Sequence, residues 1–121
     1  MAIFSVPNVR MAGIAAAVPK KEVSNLDYKW ISAKDREMLV KTVGVEKRRV
    51  AEQGTATSDL CTASAEKLIA ELGWDKQDIQ LLIFISQSRD YIIPSTSGII
   101  QHRLGLPNSC VAFDIGLGSI S

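Results

Sequence analysis

The chain has 121 residues, 46% of them apolar and 22% charged, with fourteen basic residues against thirteen acidic ones. That is the size of one domain able to bury a real core, and with charges so nearly balanced no like-charge block points to nucleic acid or to a membrane surface. An apolar run such as Leu81 to Ile85, which none exceeds in length, is far short of the ~20 residues a membrane span needs. No basic segment followed by an apolar run opens the chain, so no export signal is expected, and the protein is expected in the cytoplasm.

Val9 to Ala17, small and apolar and followed by Pro19, is predicted as a first strand. Pro19 to Tyr28 carries Pro, Asn, Asp and Lys and is predicted as loop. Ser32-Ala33-Lys34-Asp35 is a variant capping box, so a helix should run to about Val43, with Gly44 at a left-handed cap. Val45 to Val50 is an extended edge piece whose basic residues are either a solvated turn or a ligand-facing patch.

Thr57 opens the clearest helix. Leu60, Cys61, Ser64, Ala65, Leu68, Ile69 and Leu72 recur at helical spacing, Asp59 lies in the first turn, and Gly73 ends it. Cys61, inside that stripe, is a small core residue by position. Cys110 is the second of two isolated cysteines, and both are expected as reduced thiols. With no CxxC and one histidine, His102, no metal site is expected.

Asp75 to Asp78 forms a short capped turn. Leu81 to Ile85 is apolar without alternation, as in a central strand covered on both faces. Ser86 to Pro94 is a loop at its carboxyl end, where open α/β sheets place ligands. Ser95 caps a helix through Leu104, stopped by Gly105 and Pro107, and Cys110 to Ile115 is the next central strand. Strands alternating with helices predict an α/β domain, a layered mixed sheet with helices.

The last strand carries Asp114 and breaks into Gly116-Leu117-Gly118-Ser119. Two glycines after a strand are a weak dinucleotide signal, and a tight turn needing positive φ accounts for them better. A carboxylate within an apolar strand needs partners, so Asp114 is expected to tie down neighbouring backbone amides and brace the corner. Ser119 is the candidate nucleophile by position, although a serine hydroxyl needs a base. His102, on a helix, is expected to be a surface or packed imidazole rather than that base.

Taken together, Thr57-Ser58-Asp59-Leu60 through Ala65-Glu66-Lys67-Leu68-Ile69, then Leu81 to Gln87, Ile93-Pro94-Ser95, Leu104-Gly105-Leu106 and Ala112 to Gly118 resemble the amino-terminal part of beta-ketoacyl-acyl-carrier-protein synthase III, of the thiolase superfamily. The resemblance implies that residues 1–121 are a single domain, the amino-terminal thiolase-like half of a two-half enzyme, with the carboxyl-terminal half outside the chain. It implies a homodimeric condensing acyltransferase of fatty-acid biosynthesis. Such an enzyme joins acyl-CoA to malonyl-acyl-carrier protein with loss of carbon dioxide and uses no cofactor, acyl-CoA being a substrate.

In that family a cysteine at a helix start carries the acyl group, and a His and an Asn of the other half bind the malonyl thioester. The family corner continues Gly-Cys-Ser-Gly or Ala-Cys-Ala-Gly, whereas this chain has Gly118-Ser119-Ile120-Ser121, so Ser119 falls at the cysteine position. Ile93 matches an apolar residue lining the partner subunit's acyl pocket. Met38 and Thr42 fall near the CoA adenine grip, with Lys41 beside them as a phosphate contact.

Overall fold

The computed structural model describes residues 5–116. Four strands and three helices follow in the order β1 (Lys21–Ser24), α1 (Ala33–Val43), β2 (Lys47–Val50), α2 (Thr57–Leu72), β3 (Leu81–Ile85), α3 (Thr96–Leu104) and β4 (Val111–Ile115). No helix among the described residues is long and apolar enough to cross a membrane.

The helix ends follow the sequence signals. Ser32 Oγ accepts from the Asp35 amide at 3.2 Å and opens α1. Asp59 reaches back to accept from the Ala56 amide at 2.8 Å and opens α2. Gly44, Gly73 and Gly105 close the three helices at φ of 74°, 65° and 66°, a backbone region that favours glycine.

β3 and β4 pair in parallel, from Leu81 opposite Val111 to Ile85 opposite Ile115. The core lies on one face of this pair: Phe84, Ile100, Leu104, Leu106 and Cys110 are buried, with Cys61, Ala65, Ile79 and Leu82 packed against them. The expectation that β3 is covered on both faces does not hold among the described residues. Side chains alternate across a strand. Leu82 and Phe84 turn toward the helices, while Leu81, Ile83 and Ile85 are exposed beside Val111, Phe113 and Ile115 of β4. Continuous apolarity is therefore a property of the strand, but its cover here comes from one side.

The amino-terminal third departs further from expectation. Val9 to Ala17 forms no strand. A strand needs a ladder partner for its backbone groups, and none of the described residues supplies one. Residues 14–19 nevertheless alternate between exposed and half-buried, and Gly13 lies against α2, where an added Cβ would stand 2.9 Å from Leu68 Cδ1.

The first strand is instead Lys21–Ser24, within the stretch expected to be loop, and it pairs antiparallel with β2. Complementary charge explains the pairing. Glu22 faces Arg49 in register and forms ion pairs with Lys47 at 2.9 Å and Arg49 at 3.3 Å. Asn25 fastens the end of the pair, with its amide donating to Glu46 O, its side chain to Val45 O, and its Oδ1 accepting from Arg48. The basic run of β2 is thus a strand rather than a turn, and its three cations are exposed to solvent but each is paired within or beside the ribbon. The described residues form two two-stranded sheets, one antiparallel and one parallel.

Candidate functional site

The carboxyl end of β4 meets the first turn of α3, and Asp114 joins them. Its two carboxylate oxygens accept from the Thr96 and Ser97 amides, both at 2.8 Å. Ser95 Oγ accepts from the Gly98 amide at 3.3 Å, and Ser95 O from the Ile99 amide at 3.4 Å. The Ile99 bond is the first of the helix's own; of the earlier amides, which have no partner within the helix, those of Thr96, Ser97 and Gly98 are all satisfied. The amides held by Asp114 belong to a helix 17 and 18 residues earlier in the chain, not to its own corner.

Burial pushes the Asp114 carboxyl up, but the hydrogen bonds from Ser97 and Thr96 and the positive charge of Arg89 outweigh it and hold the group below the usual carboxylate range. Such a group stays an anion and braces the corner. It is poorly suited to exchange protons near neutrality.

Arg89 also approaches Gly116, where an added Cβ would lie 3.8 Å from its Nη2. That is ordinary contact distance, and Gly116 is not among the glycines with positive φ. The expected left-handed turn is therefore absent at Gly116. Gly118 and Ser119 lie outside the described residues, so the nucleophile position itself has no described geometry.

A second cluster joins the loop after β3 to α2. Asp90 Oδ1 accepts from the Ser58 amide at 3.3 Å, its Oδ2 accepts a very short bond from Ser58 Oγ, and its own amide donates to Thr96 Oγ1 at 3.3 Å. Arg103 Nη1 donates to Ser58 Oγ at 2.7 Å and to Asp59 at 2.8 Å. Ser58 and Thr96 are wholly buried. Sequence reasoning marked residues 86–94 as a ligand-side loop but gave no sign of this pairing, which depends on partners 32 and 45 residues distant.

The remaining sequence candidates are dispersed. Ile93 is 85% exposed at the tip of the loop, before Pro94, across a cis peptide bond. Lys41 is exposed in the last turn of α1 and forms no ion pair among the described residues. Met38 and Thr42 line a shallow groove of about 330 Å³ with Ile31, Asp35 and Leu39, and Lys41 does not reach into it. His102 is exposed on α3. Burial pushes the Cys61 thiol above its ordinary value, as does the negative charge of Asp90, so Cys61 is not an activated nucleophile. No group of three metal-ligating side chains occurs among the described residues.

No protein-family model matches the chain. Individual proteins do. The chain is 36% identical over 103 residues to beta-ketoacyl-[acyl-carrier-protein] synthase III of Ehrlichia canis, covering 85% of this chain and 32% of that protein. It is 27% identical over 114 residues to the protein of the same name from Koribacter versatilis, covering 94% and 34%. Among solved structures, the 3-oxoacyl-(acyl-carrier protein) synthase from Burkholderia xenovorans LB400 superposes with a TM-score of 0.79 at 43% identity, covering 86% of this chain and 31% of that one. The chain thus spans about a third of the length of the relatives it matches. Over nearly its whole length it is related to beta-ketoacyl-[acyl-carrier-protein] synthase III, and its sequence and thiolase-like fold are similar to about one third of such a protein.

Proposed function

We propose that this chain supplies the nucleophile-bearing part of a cytoplasmic condensing acyltransferase acting on acyl-CoA and malonyl-acyl-carrier protein. The observation that carries the proposal is the match to such synthases along 85–94% of the chain. In the reaction a nucleophile after β4 attacks the acyl-CoA carbonyl and CoA leaves as the thiolate. Loss of carbon dioxide from the malonyl thioester then gives a carbanion, which attacks the acyl-enzyme and frees the nucleophile. Ser119 occupies the address of that nucleophile. Asp114 braces the corner that presents it.

Ile93 lines the acyl pocket of a homodimer partner, and Lys41 contacts the CoA phosphates. Serine acylates slowly without a base, and His102 stands exposed on a helix flank. The chain alone therefore turns over little or not at all.

The test is incubation with radiolabelled acyl-CoA, with and without malonyl-acyl-carrier protein. Ser119→Cys should gain a hydroxylamine-labile acyl label that the unaltered chain lacks. Absence of label on the cysteine variant counts against the address, and product release by the unaltered chain would show that nothing further is needed.

One observation favours a second reading, a non-catalytic self-associating fragment. Leu81, Ile83, Ile85, Val111, Phe113 and Ile115 form a contiguous apolar sheet face that is 40–61% exposed. Faces of this kind drive association. Sedimentation as a monomer at high concentration would reject it.

A further inference from the structure

We propose that Asp90 is a positioning residue, a clamp that fixes the loop carrying Tyr91, Ile92 and Ile93 to the first turns of α2 and α3. The proposal deepens the role given above to Ile93 and rests on it for its meaning in catalysis, but the clamp is an independent physical claim.

The three residues after Asp90 are 60%, 86% and 85% exposed, so packing does not hold the tip of the loop. An apolar tip without packing is ordered only if its base is tied down, because each free residue would otherwise keep its backbone entropy. Asp90 provides that tie at three atoms. Both carboxylate oxygens engage Ser58, one at the amide and one at the hydroxyl, and the backbone amide of Asp90 engages Thr96.

Ser58 and Thr96 are at 0% exposure, so water does not compete freely for these bonds. Hydrogen bonds to an ionised group are about twice as strong as neutral ones. Arg103 completes the arrangement. By donating to Ser58 Oγ at 2.7 Å it leaves that hydroxyl's proton for Asp90, and by pairing with Asp59 at 2.8 Å it is itself held by α2.

The loop base is thus part of a chain of contacts running from α3 through Ser58 to Asp90. The neighbouring loop residues add a local brace, since Ser86 Oγ accepts from the Ser88 amide at 3.0 Å. A loop fixed in this way presents Ile93 in one place rather than many, which is what a residue that shapes an acyl pocket has to do.

The experiment is amide hydrogen exchange and ¹⁵N relaxation on the full chain. In Asp90→Ala the Ser58 amide should exchange roughly tenfold faster or more. The heteronuclear NOE of Tyr91 to Ile93 should fall, with the amides of Phe84 and Leu104 unchanged. Asp90→Asn retains one acceptor for the Ser58 amide, so it should lie between. Unchanged Ser58 exchange and loop order in Asp90→Ala would overturn the clamp.

If Asp90→Ala loses its core protection, Asp90→Asn and Ser58→Ala decide. Loosening of the loop over an intact core supports the proposal, and an unmoved loop in both overturns it. Ile93→Ala should leave the Ser58 amide protected, and acceleration there equal to that of Asp90→Ala would overturn the proposal. Selectivity between short and long acyl-CoA in Ile93→Ala reads the pocket role separately. That role can fail while the clamp stands.

Discussion

Residues 57–116 contain every buried side chain described, from Ser58 to Cys110, whereas residues 5–50 contain none. Both regions have capped helices and paired strands. They differ in what holds the elements once formed. In the carboxyl-terminal region α2 and α3 close over one face of β3–β4 and share a core. In the amino-terminal region the β1–β2 ribbon is held by backbone pairing and exposed ion pairs, which contribute little each, and α1 packs chiefly against the turn at Asn25–Asp27. Local signals are enough to shape an element, but only tertiary contact makes it costly to remove.

The largest effect that would sharpen this contrast is expected at Leu104, which is 1% exposed at the centre of the core. Leu104→Ala should lower the unfolding free energy by about 3 kcal/mol, from lost burial and the cavity left behind. Met38→Ala, on the exposed face of α1, should stay within about 0.5 kcal/mol of the unaltered chain. Urea titration measures both. Equal losses at the two sites would break the comparison.

Next comes the link between α3 and β4. Asp114→Asn replaces an anionic acceptor of two amides by a neutral group with one acceptor, and should cost about 2–3 kcal/mol at neutral pH. The sign with pH follows from a carboxyl held below its usual range. Its contribution is fully present above the unfolded carboxylate value of about 3.9. It is lost as pH falls through that value and then through the lower folded one. Urea midpoints for the two proteins should therefore converge as pH falls below about 5 and on past the unfolded carboxylate value, and a gap constant down to the acid limit would show that Asp114 acts by shape alone.

The contrast also separates what could be read in the sequence from what could not. Ser32, Asp59, Ser95, Gly44, Gly73 and Gly105 act on backbone within a few residues, so the ends of the three helices were legible, as were the bounds of β3. The stripe from Leu60 to Leu72 marks a helix that packs, and Cys61 and Ala65 do contact the core. The strand at Lys21–Ser24 was illegible because its reason, Glu22 opposite Arg49, lies 27 positions further on. The Asp90 pairing with Ser58 was hidden for the same reason. Asp114 was recognisable as a carboxylate in need of amides, but the choice of α3 as their source depends on how the chain returns.

The smallest expected effect tests whether the unpaired segment before β1 is docked at all. Gly13 has no positive φ, so alanine fits its backbone and would remove freedom from the unfolded chain, a gain of about 0.4–1 kcal/mol. Against that gain, the new Cβ would stand 2.9 Å from Leu68 Cδ1 and 3.4 Å from Leu72 Cδ2, both ends of flexible side chains. Moving Leu68 off its rotamer costs about 0.5–1.5 kcal/mol. The two terms nearly cancel, and Gly13→Ala should fall within about 1 kcal/mol of neutral. Gly13→Val carries two further methyl groups into the same contact and should be clearly destabilising, with faster amide exchange in the last turn of α2. A valine variant as stable as the unaltered chain would mean that α2 does not hold this segment at Gly13.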